Sequence, residues 1–142
     1  MFGSMNLLAT LVAAIAAWLA GAIYYTLLAK PWVAAQGLTV EQHKAQVGSR
    51  QGTIHAWLPF VLSFLADLVM AWVLAGLIAH LGAFTLRGGI VCGAFVWAGF
   101  VLTTMLVNNA FAGRSYMLTV IDTIHWLIAL LVIGAIIGAW GL

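Results

Sequence analysis

Four apolar runs, each about as long as a lipid bilayer is thick, leave this chain few folds to choose from. They extend over Asn6 to Ala29, Ala56 to His80, Gly88 to Phe111 and Tyr116 to Leu142. About 20 apolar residues cross the hydrocarbon core as a helix. In that solvent every backbone N–H and C=O must find its partner within the chain, so only helices or closed barrels can span it. None of the runs shows the alternation of a barrel strand. The expectation is an all-α integral membrane protein, a four-helix bundle built as a single transmembrane domain over residues 1–142. Short links after the second and third runs require antiparallel neighbours.

Charge narrows the function classes. Hydrophobic residues make up 65% of the sequence and charged residues 6%, and mean hydropathy is +1.16. Five Lys or Arg against three Asp or Glu form no basic run that could track a phosphate backbone, so no nucleic-acid partner is expected. The single cysteine, Cys92, has no intrachain partner and reads as packing beside Gly93. No Lys or Arg precedes the first run, which is too long for the core of a signal peptide. Met1 to Ser4 read as a cloning remnant before a native start at Met5.

The link from Lys30 to His55 is the longest polar stretch. Thr39 and Gln42 have capping-box spacing, and Gly48 can end the helix that follows. That helix either lies on the membrane surface through Val40 and Val47 or is a solvated connector. Lys30, Lys44, Arg50 and Arg114 fall in the first and third links, against Arg87 in the second. Positive residues collect on the cytoplasmic side, so both termini are expected outside. Trp32, Trp57 and Trp140 are candidate interfacial anchors, and Trp72, Trp97 and Trp126 read as packing.

Lipid chains give helices no hydrophobic reason to associate, so small residues that allow close approach matter more. Ala13, Ala17, Gly21 and Tyr25 recur at four-residue steps in the first run, as do Ser63, Asp67, Ala71, Ala75 and Ala79 in the second. Gly89 and Gly93 form such a ridge in the third, and Gly134 and Gly138 in the fourth. At about 100° per residue, Asp122 and Gly138 lie on nearly opposite faces of the last helix. One face is therefore expected to complete an internal polar site. The glycine face is expected to meet a second helix, which could belong to another copy of the protein.

Asp67 stands near the middle of the second run, where a charge needs a partner, a proton or a water-filled cavity. Other polar residues gather toward one end of the bundle. They are Tyr24 and Tyr25 in the first span, Thr104, Asn108 and Asn109 in the third, Arg114 in the turn, and Asp122 and His125 in the fourth. Asp122 and His125 are three residues apart and share a side of their helix. The carboxylate can orient the imidazole. Arg114 can pin the turn by pairing with Asp122, or form the mobile half of a binding site. Thr104 and Asn108 read first as interhelical glue. Asp122-x-x-His125 also resembles carboxylate–His metal pairs in helical bundles, but only Asp67 and His55 could add ligands, so no metal or cofactor is expected. Trp18, Gly21 and Thr26 weakly echo Trp97, Gly99 and Thr104, a possible hairpin repeat that chance explains equally well.

The order of these motifs resembles the domain of unknown function 1761 family of small bacterial membrane proteins. The likeness covers nearly the whole chain. It is carried by Trp18-Leu-Ala-Gly21 through Tyr24-Tyr25, Lys30-Pro-Trp32, Asn108-Asn-Ala-Phe111-Ala-Gly113-Arg114, and Asp122-Thr-Ile-His125 followed by Gly134 and Gly138. The resemblance implies a four-span membrane protein and no assigned activity. Two readings of function stay open. In one, the chain is a small transporter or permease, oligomeric through Gly134 and Gly138, that handles protons or a small cationic solute through Asp67, Asp122 and His125. In the other it is a membrane-embedded scaffold or accessory subunit whose polar residues only lock helices together. An intramembrane enzyme rests on no more than Tyr25, Asp122 and His125 sharing a region, and ranks below both.

Overall fold

A computed structural model describes residues 5–140. Met1 to Ser4, read above as a cloning remnant, and the last two residues of the fourth run lie outside the described residues. Every element described is helical: α1 Leu7–Leu27, α2 Ala29–Ala35, α3 Val40–Arg50, α4 Ile54–Leu81, α5 Leu86–Val96, a π-helical turn Trp97–Leu102, α6 Thr103–Phe111 and α7 Tyr116–Trp140. Leu7–Leu27, Ile54–Leu81, Leu86–Phe111 and Tyr116–Trp140 are, among the described residues, the four helical stretches long and apolar enough to cross a membrane. Leu8, Phe60, Phe95 and Phe100 are exposed on their outer surfaces, as expected of helices solvated by lipid chains.

Local chemistry sets the boundaries. Asn6 caps α1, its Oδ1 accepting from the Ala9 N–H at 3.0 Å. Pro31 has no N–H to bond the Leu27 carbonyl, and its ring crowds that position, so α1 stops at Leu27 and α2 sets off separately. Thr39 and Gln42 form the expected capping box on α3. That helix continues past Gly48 to Arg50 and has no buried residue. Gly82 ends α4 in the left-handed conformation at φ +64, and Gly113 turns the chain at φ +65 before α7. Ser115 Oγ caps α7 by accepting from the Leu118 N–H at 3.1 Å.

α7 is the axis of the bundle. It packs against α1, α4 and α5, whereas α1 and α5 do not meet. The core is a seam of small and branched residues: Ala13, Ala14 and Ala17 of α1, Ala71 and Ile78 of α4, and Ala129 and Ile133 of α7. The ridges expected on the first two spans therefore face inward, and Asp67 lies among the buried positions of α4.

The glycine face of α7 requires a correction. Gly134 and Gly138 receive no second copy, because α5 of the same chain fills that face. A Cβ placed on Gly134 would run into the Gly89 carbonyl oxygen and lie 2.7 Å from its carbon, while one on Gly138 would meet the Thr85 carbonyl oxygen. Gly93 lies equally close to the Leu130 backbone. The two ridges that looked separable in sequence are the two halves of one intrachain contact. The oligomer inferred through Gly134 and Gly138 loses its surface.

Candidate functional site

The ionisable groups fall into two places, not one. Asp67 occupies the first by itself. It is 2% exposed, and its Oδ1 is fully enclosed with no hydrogen-bond donor among the described residues. A carboxylate oxygen enclosed without a donor costs on the order of several kcal/mol if the group is charged. Nothing among the described residues locks that oxygen to a neighbouring helix.

The second place is the end of the bundle beside α2. Asp122 Oδ1 accepts from Tyr25 Oη at 2.7 Å and from Trp32 Nε1 at 3.2 Å. Tyr24 Oη donates to the Ile121 carbonyl at 2.8 Å. Two elements, α1 and α2, thus converge on one turn of α7. α1 supplies both tyrosines because they sit in its last two turns. α2 supplies the indole because the break at Leu28 turns the chain across the bundle end. His125 lies one turn further along α7, 8% exposed, with Nδ1 unpartnered. Its ring packs on Tyr25 at 4.8 Å and on Trp126 at 4.7 Å between centroids. Gly21 makes the seat: a Cβ there would stand 2.6 Å from His125 Nε2.

Two contacts measure how far apart these places are. Trp18 Nε1 donates to Ser63 Oγ at 3.0 Å and to the Phe60 carbonyl at 3.2 Å, which sets α1 beside that turn of α4. Gly21 against His125 sets α1 beside α7. From Gly21 back to Trp18, then from Ser63 on to Asp67, the path advances about seven residues, or about 10 Å along the bundle. Asp67 is therefore deeper than His125 and deeper still than Asp122. The intervening seam carries Ala17, Ala14 and Ala129, all buried and none polar.

Two expected members stay outside the cluster. Arg114 is exposed in the turn before α7 and makes no ion pair with Asp122, which Tyr25 and Trp32 hold instead. Asn108 is exposed too, and Asn109 turns inward, its Nδ2 donating to Thr119 Oγ1 at 3.0 Å. The π-helical turn at Trp97–Leu102 explains the exchange. In an unbroken α-helix, Thr104 and Asn108 would share the face of Trp97. One extra residue in the turn rotates everything after it by about 100°, so Asn109 takes that face. Trp97 itself donates from Nε1 to the Thr123 carbonyl at 2.7 Å, next to Asp122.

Sequence reasoning missed the hydrogen bonds that Trp32 and Trp97 make and the seat that Gly21 gives His125. Trp32 is a half-buried donor to Asp122 and not a simple interfacial anchor, and Trp97 and Gly21 hold α7 and its histidine. The hairpin echo weakens as well. Trp18 and Trp97 each donate to the second helix of their hairpin, but a Cβ on Gly99 would meet nothing where Gly21 seats an imidazole.

Fold and site together define a four-span helical membrane protein with a buried carboxyl, Asp67, whose Oδ1 has no donor among the described residues, and a separate carboxyl–aromatic–histidine cluster. The model of the family described as Protein of unknown function (DUF1761) matches residues 8–138, and the chain belongs to that family. No curated protein and no solved structure matches it.

Proposed function

We propose that this protein is a small proton-linked carrier of a bacterial inner membrane, with Asp67 as the group that takes up and releases the proton. One observation supports this reading above all: Asp67 is buried in an apolar span with no donor to its Oδ1 among the described residues. A carboxyl group that merely fastened helices would hold a partner, as Asp122 does. A solitary one needs a proton, or an ion in its place. The bundle end bearing α2 and α3 is cytoplasmic in this reading, because Lys30, Lys44, Arg50 and Arg114 collect there, and both termini face outward. Asp122 and His125 stand between that surface and Asp67.

A second reading has an observation of its own. Tyr25, Trp32 and Asp122 do lock α1, α2 and α7 together, as a scaffold or accessory subunit would require. The two readings part on Asp67→Asn in sealed proteoliposomes carrying a pH-sensitive dye inside. The carrier loses proton flux while the variant stays folded. An accessory subunit shows no flux before or after the change, and Asp67→Asn instead releases a partner protein. Equal flux through both forms removes Asp67 from the mechanism.

A further inference from the structure

We infer that the groove beside the turn between α6 and α7 binds one anionic phospholipid of the surrounding bilayer, with its phosphate on Arg114 and one acyl chain along the uncovered strip of α7. The inference goes beyond the carrier reading and does not depend on it.

The helices leave one side of α7 open. α4 packs against both α1 and α5, and all three pack against α7, but among the described residues α1 meets no part of the third span, Leu86–Phe111. α7 is therefore uncovered between α1 and that span. Met117, Val120 and Ile124 are exposed, and their three- and four-residue steps put them on one strip of the helix. The strip continues, half-buried, through Leu127. From Met117 to Leu127 the helix rises about 15 Å, half of the roughly 30 Å hydrocarbon core. That is the reach of an acyl chain in one leaflet.

At the bundle end the strip runs into a groove of about 950 Å³, within the size range of small-molecule sites. α2 contributes Ala34 and Ala35 to its lining, and the turn and α7 contribute Gly113, Arg114 and Met117. Ser115 Oγ donates to the Ala35 carbonyl at 2.6 Å and so fixes α2 to the start of α7. Met117 belongs to both groove and strip. The two form one surface, charged at its head and apolar along its tail.

Charge selects the headgroup. Arg114 is exposed and makes no ion pair among the described residues; Asp67 is buried in α4, and Asp122 is held by Tyr25 and Trp32. Lys30 precedes Pro31 of the groove lining, and Lys44 and Arg50 lie in the same link, against a single carboxylate, Glu41. A guanidinium matches a phosphate through two parallel hydrogen bonds. A net positive bundle end favours a lipid whose headgroup carries no ammonium of its own. Because Arg114 joins two spans, it stands at headgroup level on whichever side of the membrane that turn lies.

The test uses the full-length chain in phosphatidylcholine vesicles with a trace of phosphatidylglycerol that carries a diazirine on one acyl chain. After illumination, the label is located by mass spectrometry of peptides. Met117, Val120 and Ile124 should carry at least about fivefold more label than Val61 and Leu65, which are exposed on the outer face of α4 in the same half of the bundle. Arg114→Gln should remove that excess, Arg114→Lys should keep part of it, and Arg87→Gln, at the opposite end, should leave it intact. Even labelling of the two faces, an equal excess with a phosphatidylcholine probe, or an Arg114→Gln protein labelled like its parent overturns the proposal. So does loss of the excess on adding inorganic phosphate, which would assign the groove to a soluble anion.

Discussion

Replacing Gly134 by alanine tests the contact that organises half of the bundle. The added Cβ would run into the Gly89 carbonyl oxygen, lie 2.7 Å from its carbon and 3.4 Å from the Ile90 nitrogen. All three atoms are backbone, so no side chain can swing aside. Carbon–carbon contacts prefer about 3.5–4 Å, so α5 and α7 must separate by about 1 Å along the ridge. A gap of that size forfeits a quarter to a half of each dispersion well it opens. Overpacking of this kind costs about 1–3 kcal/mol, and the better helix propensity of alanine returns about 0.5–1. Lipid supplies no hydrophobic force to press the helices back together. The expected net loss is about 1–2 kcal/mol in reversible unfolding by denaturing detergent, followed by tryptophan fluorescence. Gly48→Ala is the control: this α3 glycine has nothing within 4 Å of the new methyl and should be neutral or gain up to about 1 kcal/mol. A Gly134→Ala protein as stable as its parent, or a Gly48→Ala protein destabilised as much, would refute the close-packing argument.

Gly21→Ala should displace the His125 ring, since the new methyl would stand 2.6 Å from Nε2. Adding His125→Ala makes room for that methyl, so a thermodynamic cycle of the two changes should show strong non-additivity, and simple addition would deny the contact. Asn109→Ala breaks the buried bond to Thr119 and should cost about 1 kcal/mol in the same unfolding assay, whereas the exposed Asn108→Ala should stay within about 0.5. Reversal of that order would place the π-helical turn elsewhere. Tyr25→Phe removes the shorter of the two donors to Asp122 and should also cost about 1 kcal/mol; no change would mean that the hydroxyl is solvated instead.

Much of the architecture was legible because lipid is a strict solvent. A run of apolar residues such as Ile54–Leu81 has no other way to satisfy its backbone, so its helix follows from length and hydropathy alone. The four-residue ridge that carries Asp67 likewise announced its inward face. What stayed hidden depends on pairing between distant segments. Nothing local in Gly134 says that its partner is Gly89 and not a second molecule. Either arrangement satisfies the demand for a close backbone, and only the full packing of α7 against three neighbours decides. The exchange of Asn108 for Asn109 has a different origin: a single extra residue in a helical turn leaves hydropathy untouched yet rotates every later side chain. Trp32 was misread because its partner, Asp122, lies 90 residues away in sequence.

If Asp67 carries the proton, its buried carboxyl group must exchange that proton with water. Infrared difference spectroscopy of the protein in bilayers, recorded as the bulk pH is stepped, observes that exchange directly. A carboxyl C=O absorption should convert reversibly between protonated and ionised forms and be missing from Asp67→Asn. A spectrum in which no pH-dependent carboxyl signal is lost on that substitution would contradict it.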